Sequence, residues 1–248
     1  MVRLKSAKEI EGIRESCRLL SQLLGETKNI VAEGISTKDI DAFVRRRCRE
    51  MGARPAFLDY DGFPAAICTS TNEAVIHGIP NKKKLRSGDI VSLDCGLEYE
   101  GFFSDAAFTL PIGRVSDENR LLMEVTRACL DLAIAKAVCG NRISDISRAV
   151  YAHAKKHGFG VVREYCGHGV GLAPHEGPQI PNYVSSGPSP RLKPGMVIAI
   201  EPMVNAGGDA IEILRDNWTV VTADGRCSAH FEHTLAIFDD HTDVLTAW

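Results

Sequence analysis

KLRSGDIVSLD at residues 84–94 and RLKPGMVIAIE at residues 191–201 are two versions of one phrase, set 107 positions apart. Both carry a basic residue, a leucine and a second basic residue, then a glycine and an aliphatic run. Each ends in an acid, Asp94 in the first and Glu201 in the second. A second correspondence lies upstream at an offset of 106: Gly34, Asp39, Ile40, Val44 and Gly52 match Gly140, Asp145, Ile146, Val150 and Gly158. Short amphipathic segments match by chance, but two matches in order at nearly one offset argue for internal duplication. A duplicated α+β half folds into a pseudo-twofold body with a cleft between its halves, and Asp94 and Glu201 would meet across it. The expectation is therefore one domain over residues 1–248, with halves of about 1–110 and 111–248.

The local signals agree with this division. Ser6 and Glu9 form a capping-box signature, and Ile10, Ile13, Cys17, Leu20 and Leu24 follow at helical spacing. A second helix is expected from Thr37 to Met51, ended by Gly52. Strands are expected at 65–70, 89–95 and 101–110, then helices at 117–138 and 144–156, and strands again after Gly158. The order of two helices followed by strands thus occurs twice.

Composition narrows the class. The 248 residues are 44% hydrophobic and 25% charged, enough for a substantial core. A net charge of −3 gives no electrostatic reason to expect nucleic acid or an anionic membrane as partner. Lys82, Lys83 and Lys84 form a basic run, read as a solvated loop. No signal peptide and no long apolar span is visible, and the eight cysteines never form a C-x-x-C pair. A reduced, cytoplasmic protein is the consistent reading.

Four acids sit in strand-like, apolar surroundings: Asp94, Asp105 in GFFSDAAF, Glu201, and Glu232 in SAHFEHTLAIF. Gly96 and Gly101 suit a hairpin that would bring Asp94 and Asp105 to one face. Any one of these acids is compatible with an edge strand or a salt bridge. Four together are not, because buried carboxylates repel unless cations hold them. With one imidazole they would suit a two-metal site, and an oxygen-rich donor set favours Mn, Fe, Co or Zn without choosing among them.

The imidazole is sought in YCGHGVGLAPHEGPQI, residues 165–180, where His168 and His175 stand seven apart. Its glycines and prolines exclude a helix, so a shaped loop or irregular strand is expected.

Taken in order, VIHGIP, SLDCG, GFFSDAAF, REYCGHGVG, PHEGPQI, IEPMVN and FEHT resemble the type I methionine aminopeptidases, pita-bread metallopeptidases, along almost the whole chain. The resemblance implies an α+β pita-bread fold with duplicated halves, antiparallel sheet and helices outside. It implies removal of the initiator methionine from nascent chains with a small second residue, by water activated between two divalent ions. Asp94 would bind one ion, His168 and Glu201 the other, with Asp105 and Glu232 bridging and Glu201 also accepting a proton. His175 would contact the scissile amide. His77, which spacing alone reads as a turn residue before Gly-Ile-Pro, would hold the leaving-group side. The methionine pocket would map to Tyr60, Phe63, Cys68 and Trp218, with Pro174 replacing an aromatic usual before the second histidine. His230 would neighbour Glu232 without being a ligand, and His233 would face away.

Backbone carbonyls of Asn72, Ala74 and Ser228 match a weak monovalent-cation position. Bacterial members dock near the ribosomal exit through a basic loop beside the pocket tryptophan. Here residues 207–226 carry four acids and two arginines, which speaks against a transient ribosome contact. A monomer acting on nascent N-termini, with no nucleic acid and no membrane partner, is expected. Proline-directed relatives carry a further N-terminal domain, and non-catalytic relatives lose ligands; neither description suits these residues.

Overall fold

The computed structural model describes residues 2–246. Four α-helices, α1 (Ala7–Ile30), α2 (Thr37–Glu50), α3 (Asp117–Ile134) and α4 (Ile143–Lys156), fall in two consecutive pairs, each followed by strands. The first half holds β1 (Arg54–Pro55), β2 (Cys68–Thr71), β3 (Ala74–Ile76), β4 (Ile90–Tyr99) and β5 (Phe102–Pro111). After α4 come β6 (Gly160–Val161), β7 (Gly167–Gly169), β8 (Glu176–Ile180), β9 (Val197–Ile200) and β10 (Met203–Asn205). The chain closes with β11 (Ile211–Ile213), β12 (Val220–Thr222), β13 (Ser228–His230), β14 (His233–Ile237) and β15 (Thr242–Val244). Helix α1 starts on the Ser6–Glu9 capping box and buries Ile10, Ile13, Cys17, Leu20 and Leu24. Each such fully buried Leu or Ile contributes about 1.5–3 kcal/mol. Helix α3 stops four residues before the expected Val138, because its last turns tighten through Lys136 N–H to Ala133 O and Ala137 N–H to Ile134 O.

The repeated phrase makes the same bonds twice. Gly34 N donates to Leu85 O at 2.8 Å and Leu85 N to Ile35 O at 2.9 Å. Gly140 N donates to Leu192 O at 3.0 Å and Leu192 N to Asn141 O at 2.7 Å. Gly34 (φ 88°) and Gly140 (φ 89°) share a left-handed backbone that favours glycine. Ser36 and Asp39 cap α2 reciprocally. At α4 one half of that cap persists, the Asp145 carboxylate accepting from Arg142 N–H, since arginine offers no acceptor.

Antiparallel β4 and β5 pair from Ile90↔Pro111 to Tyr99↔Phe102. Their two-residue turn has positive φ at both Glu100 (51°) and Gly101 (83°), the geometry that matches strand twist in a tight hairpin. In the second half β9 lies between β14 and β7, in a sheet ordered β15-β14-β9-β7-β8. The halves join where β5 meets the β13–β14 segment. Glu232 N donates to Ala107 O at 2.8 Å, and Thr234 Oγ1 to Asp105 O at 2.8 Å. Thr109 Oγ1 donates to His230 O at 2.9 Å. One buried apolar cluster runs through both halves, from Leu20, Ile40 and Leu93 to Leu130, Ile146 and Ile198.

Candidate metal centre and substrate cleft

Strand register brings the acids together. Asp94 pairs with Ala107 and Asp105 with Gly96, so the two carboxylates are diagonal neighbours on one face of the hairpin. Glu201 follows the end of β9, and Glu232 leaves the β13–β14 segment at its bridge to Ala107. His168 is the middle residue of β7, flanked by glycines for a steric reason. A Cβ at Gly167 would lie 2.4 Å from Ala199 O, and one at Gly169 would lie 2.4 Å from Gly177 O. Only bare backbone lets β7 fit between β9 and β8.

Three triads of donor atoms result, each with its atoms within 4.8 Å of one another: Asp94, Asp105 and Glu232; His168, Glu201 and Glu232; and Asp105, His168 and His175. The first two share Glu232. His168 Nε2 lies 3.5 Å from Glu201 Oε1 and 3.8 Å from Asp105 Oδ2. These contacts are not ion pairs, since burial pushes the His168 pKa down to about 4 and the ring is neutral. Burial raises the Asp94 carboxyl to about 7; burial and then the Asp94 charge raise Glu201 to about 8. Burial, compounded by the surrounding carboxylates, lifts Asp105 and Glu232 well above the usual carboxylate range.

The donor chemistry fits a divalent cation. Asp94 Oδ1, Asp105 Oδ1 and Glu232 Oε1 are buried with no hydrogen-bond partner, an arrangement that is costly unless a cation satisfies it. His168 Nδ1 lies 2.9 Å from the Gly169 carbonyl; donating there leaves the Nε2 lone pair toward the acids, the tautomer a metal ligand needs.

The four acids help line a cavity of about 310 Å³. Tyr60, Phe63, Cys68, His77, His175 and Trp218, all singled out in the sequence, line it. Phe63 and Trp218 meet edge to face at 5.2 Å between centroids, and His77 stands edge-on to Tyr165 at 5.5 Å. His77 has a left-handed backbone (φ 56°), uncommon for a side-chain-bearing residue, and burial lowers its pKa to about 4. His175 sits at the mouth, its Nδ1 3.1 Å from the Tyr60 hydroxyl and its ring centroid 4.4 Å from that of His168. Desolvation lowers its pKa as well. Pro174 does not line this cavity; it borders a neighbouring surface depression with Tyr60.

Residues 11–239 match Metallopeptidase family M24. The chain belongs to that family. Among its M24 relatives, the methionine aminopeptidase of Treponema pallidum is 51% identical over 99% of this chain and 96% of its own length. Methionine aminopeptidase 1 of Bacillus subtilis is 46% identical over 99% of both chains. The crystal structure of methionine aminopeptidase from Thermotoga maritima superposes with a TM-score of 0.97 at 39% identity, covering both chains fully. Prolidase from Pyrococcus horikoshii shares the fold, with a TM-score of 0.80 at 24% identity over 63% of its length. The architecture of this M24 metallopeptidase is accordingly the α+β pita-bread fold, and membership of the family implies divalent-metal binding, for which the buried acids are the candidate donors.

Other features of the site carry weaker sequence signals. Phe57, Asp61, Ile76, Tyr165 and Cys166 also line the cavity. Tyr165 and Cys166 stand directly before the Gly-His-Gly of β7, and that adjacency was the available clue. His230 is fully buried against the acids, its Nε2 3.9 Å from Glu201 Oε2 and neither ring nitrogen hydrogen-bonded. His233 points elsewhere, its Nδ1 3.1 Å from Thr246 Oγ1. At the expected monovalent position, Asn72 O accepts from Ser228 N at 2.8 Å, and Ala74 follows in β3. Lys82, Lys83 and Lys84 are solvent-exposed. Among the described residues no helix is long and apolar enough to cross a membrane.

Proposed function

We propose that this M24 metallopeptidase is a type I methionine aminopeptidase, which removes the initiator methionine from nascent chains whose second residue is small. The observation that carries the reading is the convergence of Asp94, Asp105, His168, Glu201 and Glu232 in the wall of one largely apolar cavity. Two triads sharing Glu232 support a pair of ions, Mn, Fe, Co or Zn, which Asp94, Asp105, His168, Glu201 and Glu232 would hold. Divalent ions held there supply Lewis acidity and lower the pKa of water toward neutrality.

The remaining work belongs to the side chains. Glu201, at the boundary between acids and cavity, accepts the proton of the attacking water. With the Tyr60 hydroxyl donating to Nδ1, His175 keeps its proton on Nε2 and donates to the developing oxyanion. Neutral His77, held edge-on by Tyr165, orients the leaving amine. Tyr60, Phe63, Trp218 and the thiol of Cys68, kept protonated by burial, offer the methionine side chain a polarisable apolar wall. Carbonyls of Asn72, Ala74 and Ser228 would hold a monovalent cation where β3 and β13 lie close together.

The reading places a monomer in the cytoplasm, in keeping with eight unpaired cysteine thiols. The acidic 207–226 segment, which also exposes Ile213 and Leu214, gives ribosome docking little support. The test is release of methionine from Met-Ala-Ser and Met-Lys-Ser by protein loaded in turn with Mn, Fe, Co and Zn. Cleavage of the first peptide only, abolished by Glu201→Ala, is expected. No release from Met-Ala-Ser with any of the four metals overturns the reading.

A further inference from the structure

Lys5 is a lysine whose side chain is 1% exposed and which is not among the residues lining the cleft. A buried ammonium is stable only when paired, and its Nζ lies 2.9 Å from Glu176 Oε2. Glu176 directly follows His175. Its other oxygen, Oε1, accepts from Leu172 N at 2.7 Å and Ala173 N at 3.2 Å. One carboxylate thus ties the inside of the loop between His168 and His175 and is itself tied to the N-terminal arm. The arm is anchored independently. Lys5 N donates to Gly195 O at 2.7 Å, and Val2 bridges Gly177. Gly195 (φ 84°) leaves room for this approach, since a Cβ there would lie 2.8 Å from Lys5 O.

We propose that Lys5 is a positioning residue for His175, acting through Glu176. The inference rests on the aminopeptidase reading above, in which His175 meets the scissile amide. His168 lies within β7, between β8 and β9, whereas His175 lies just before β8, whose first residue, Glu176, pairs with Gly169 and accepts through its side chain from Leu172 and Ala173. Removing the Lys5 charge strands the Glu176 carboxylate, which turns toward solvent and releases Leu172 and Ala173. His175 then loses its register with the cleft while the metal ligands keep theirs.

The test is a double-mutant cycle on the metal-loaded full chain, with Met-Ala-Ser as substrate. Lys5→Met should lower kcat roughly 10- to 100-fold, the cost of about 1 Å of misplacement. KM and Mn²⁺ affinity by calorimetry should stay near those of the parent, and Lys5→Arg should recover most of the rate. On the residual rate of His175→Ala, Lys5→Met should then have no further effect beyond about twofold. Should Lys5→Met not fold, Lys5→Met/Glu176→Leu removes both charges together with the acceptor of Leu172 and Ala173, and enters the same cycle with the same fall in kcat expected. A deficit that persists undiminished in the His175→Ala background, an unchanged kcat, or weakened Mn²⁺ binding overturns the proposal. A parent inactive on Met-Ala-Ser with every metal instead overturns the functional reading, and the proposal with it.

Discussion

Asp94 and Glu201 set the pH behaviour expected of the metal-free protein. Their folded carboxyls, at about 7 and about 8, lie above the ordinary values of 3.8 and 4.5. A raised carboxyl contributes stability fully below its unfolded pKa and loses it as pH rises through the folded one. The neutral histidines act in the opposite sense. His77, His168 and His233 at about 4, and His230 at about 3, contribute fully above the ordinary 6.5 and lose stability as pH falls from there. The two effects oppose each other below pH 6.5, and the carboxylates alone act above it. The melting temperature of metal-free protein should therefore fall between about pH 6.5 and 8, and added Mn²⁺ should reverse the fall. Calorimetry in buffers of different ionisation enthalpy should record proton release on Mn²⁺ binding across the same interval; a flat melting profile would contradict this account. The acids themselves were legible in the sequence, because carboxylates on apolar strands demand an explanation. Lys5 was not, since a single lysine before a helix cap reads as solvated until its side chain is seen to be buried.

Strand β7 shows how an element carries chemistry through what it lacks. His168 reaches the acids because Gly167 and Gly169 let three backbones approach closely. Gly167→Ala should force β7 from β9 and separate His168 from Glu201. The expected result is a stability loss of about 1–3 kcal/mol, as for other overpacked sites, and a drop in metal affinity. Gly34→Ala is the matched control: a Cβ there meets nothing within 4 Å, and the left-handed φ of 88° is its only handicap. It should cost about 1 kcal/mol and leave Mn²⁺ affinity unchanged. Equal effects on affinity from the two substitutions, read by titration calorimetry, would remove the steric argument. Helices and the β4–β5 hairpin were readable because capping boxes, periodicity and turn glycines are local signals. The path of residues 165–180 was readable only as non-helical, because β7 and β8 are defined by partners far along the chain.

At the scale of the whole molecule, the duplication inferred from the repeated phrase would account for the place of the proposed metal centre. Asp94 and Asp105 come from residues 1–110 and His168, Glu201 and Glu232 from residues 111–248, so neither segment holds all five proposed ligands. The repeated phrase made this arrangement foreseeable, but the seam itself was not. It rests on threonines: Thr234 Oγ1 donates to Asp105 O at 2.8 Å and approaches Asp105 N at 3.3 Å, and Thr109 Oγ1 does the corresponding work for His230. No periodicity marks a threonine that closes a seam between sheets. Thr234→Val keeps the shape and removes the hydroxyl, leaving both backbone groups of Asp105 without that partner. A loss of about 1–3 kcal/mol is expected from the unsatisfied buried groups. Because Asp105 is placed by that seam, Mn²⁺ affinity should fall with stability, which a surface substitution of equal cost would not do. If 1–110 and 111–248 are halves of one cooperative domain, far-ultraviolet ellipticity and Trp218 fluorescence, which reports the cleft, should change together in urea. Saturating Mn²⁺ should shift both midpoints equally, since the ligands span the seam. Two separated transitions, or a Thr234→Val protein with weakened stability but parental Mn²⁺ affinity, would mean that the seam does not transmit strain to the metal centre.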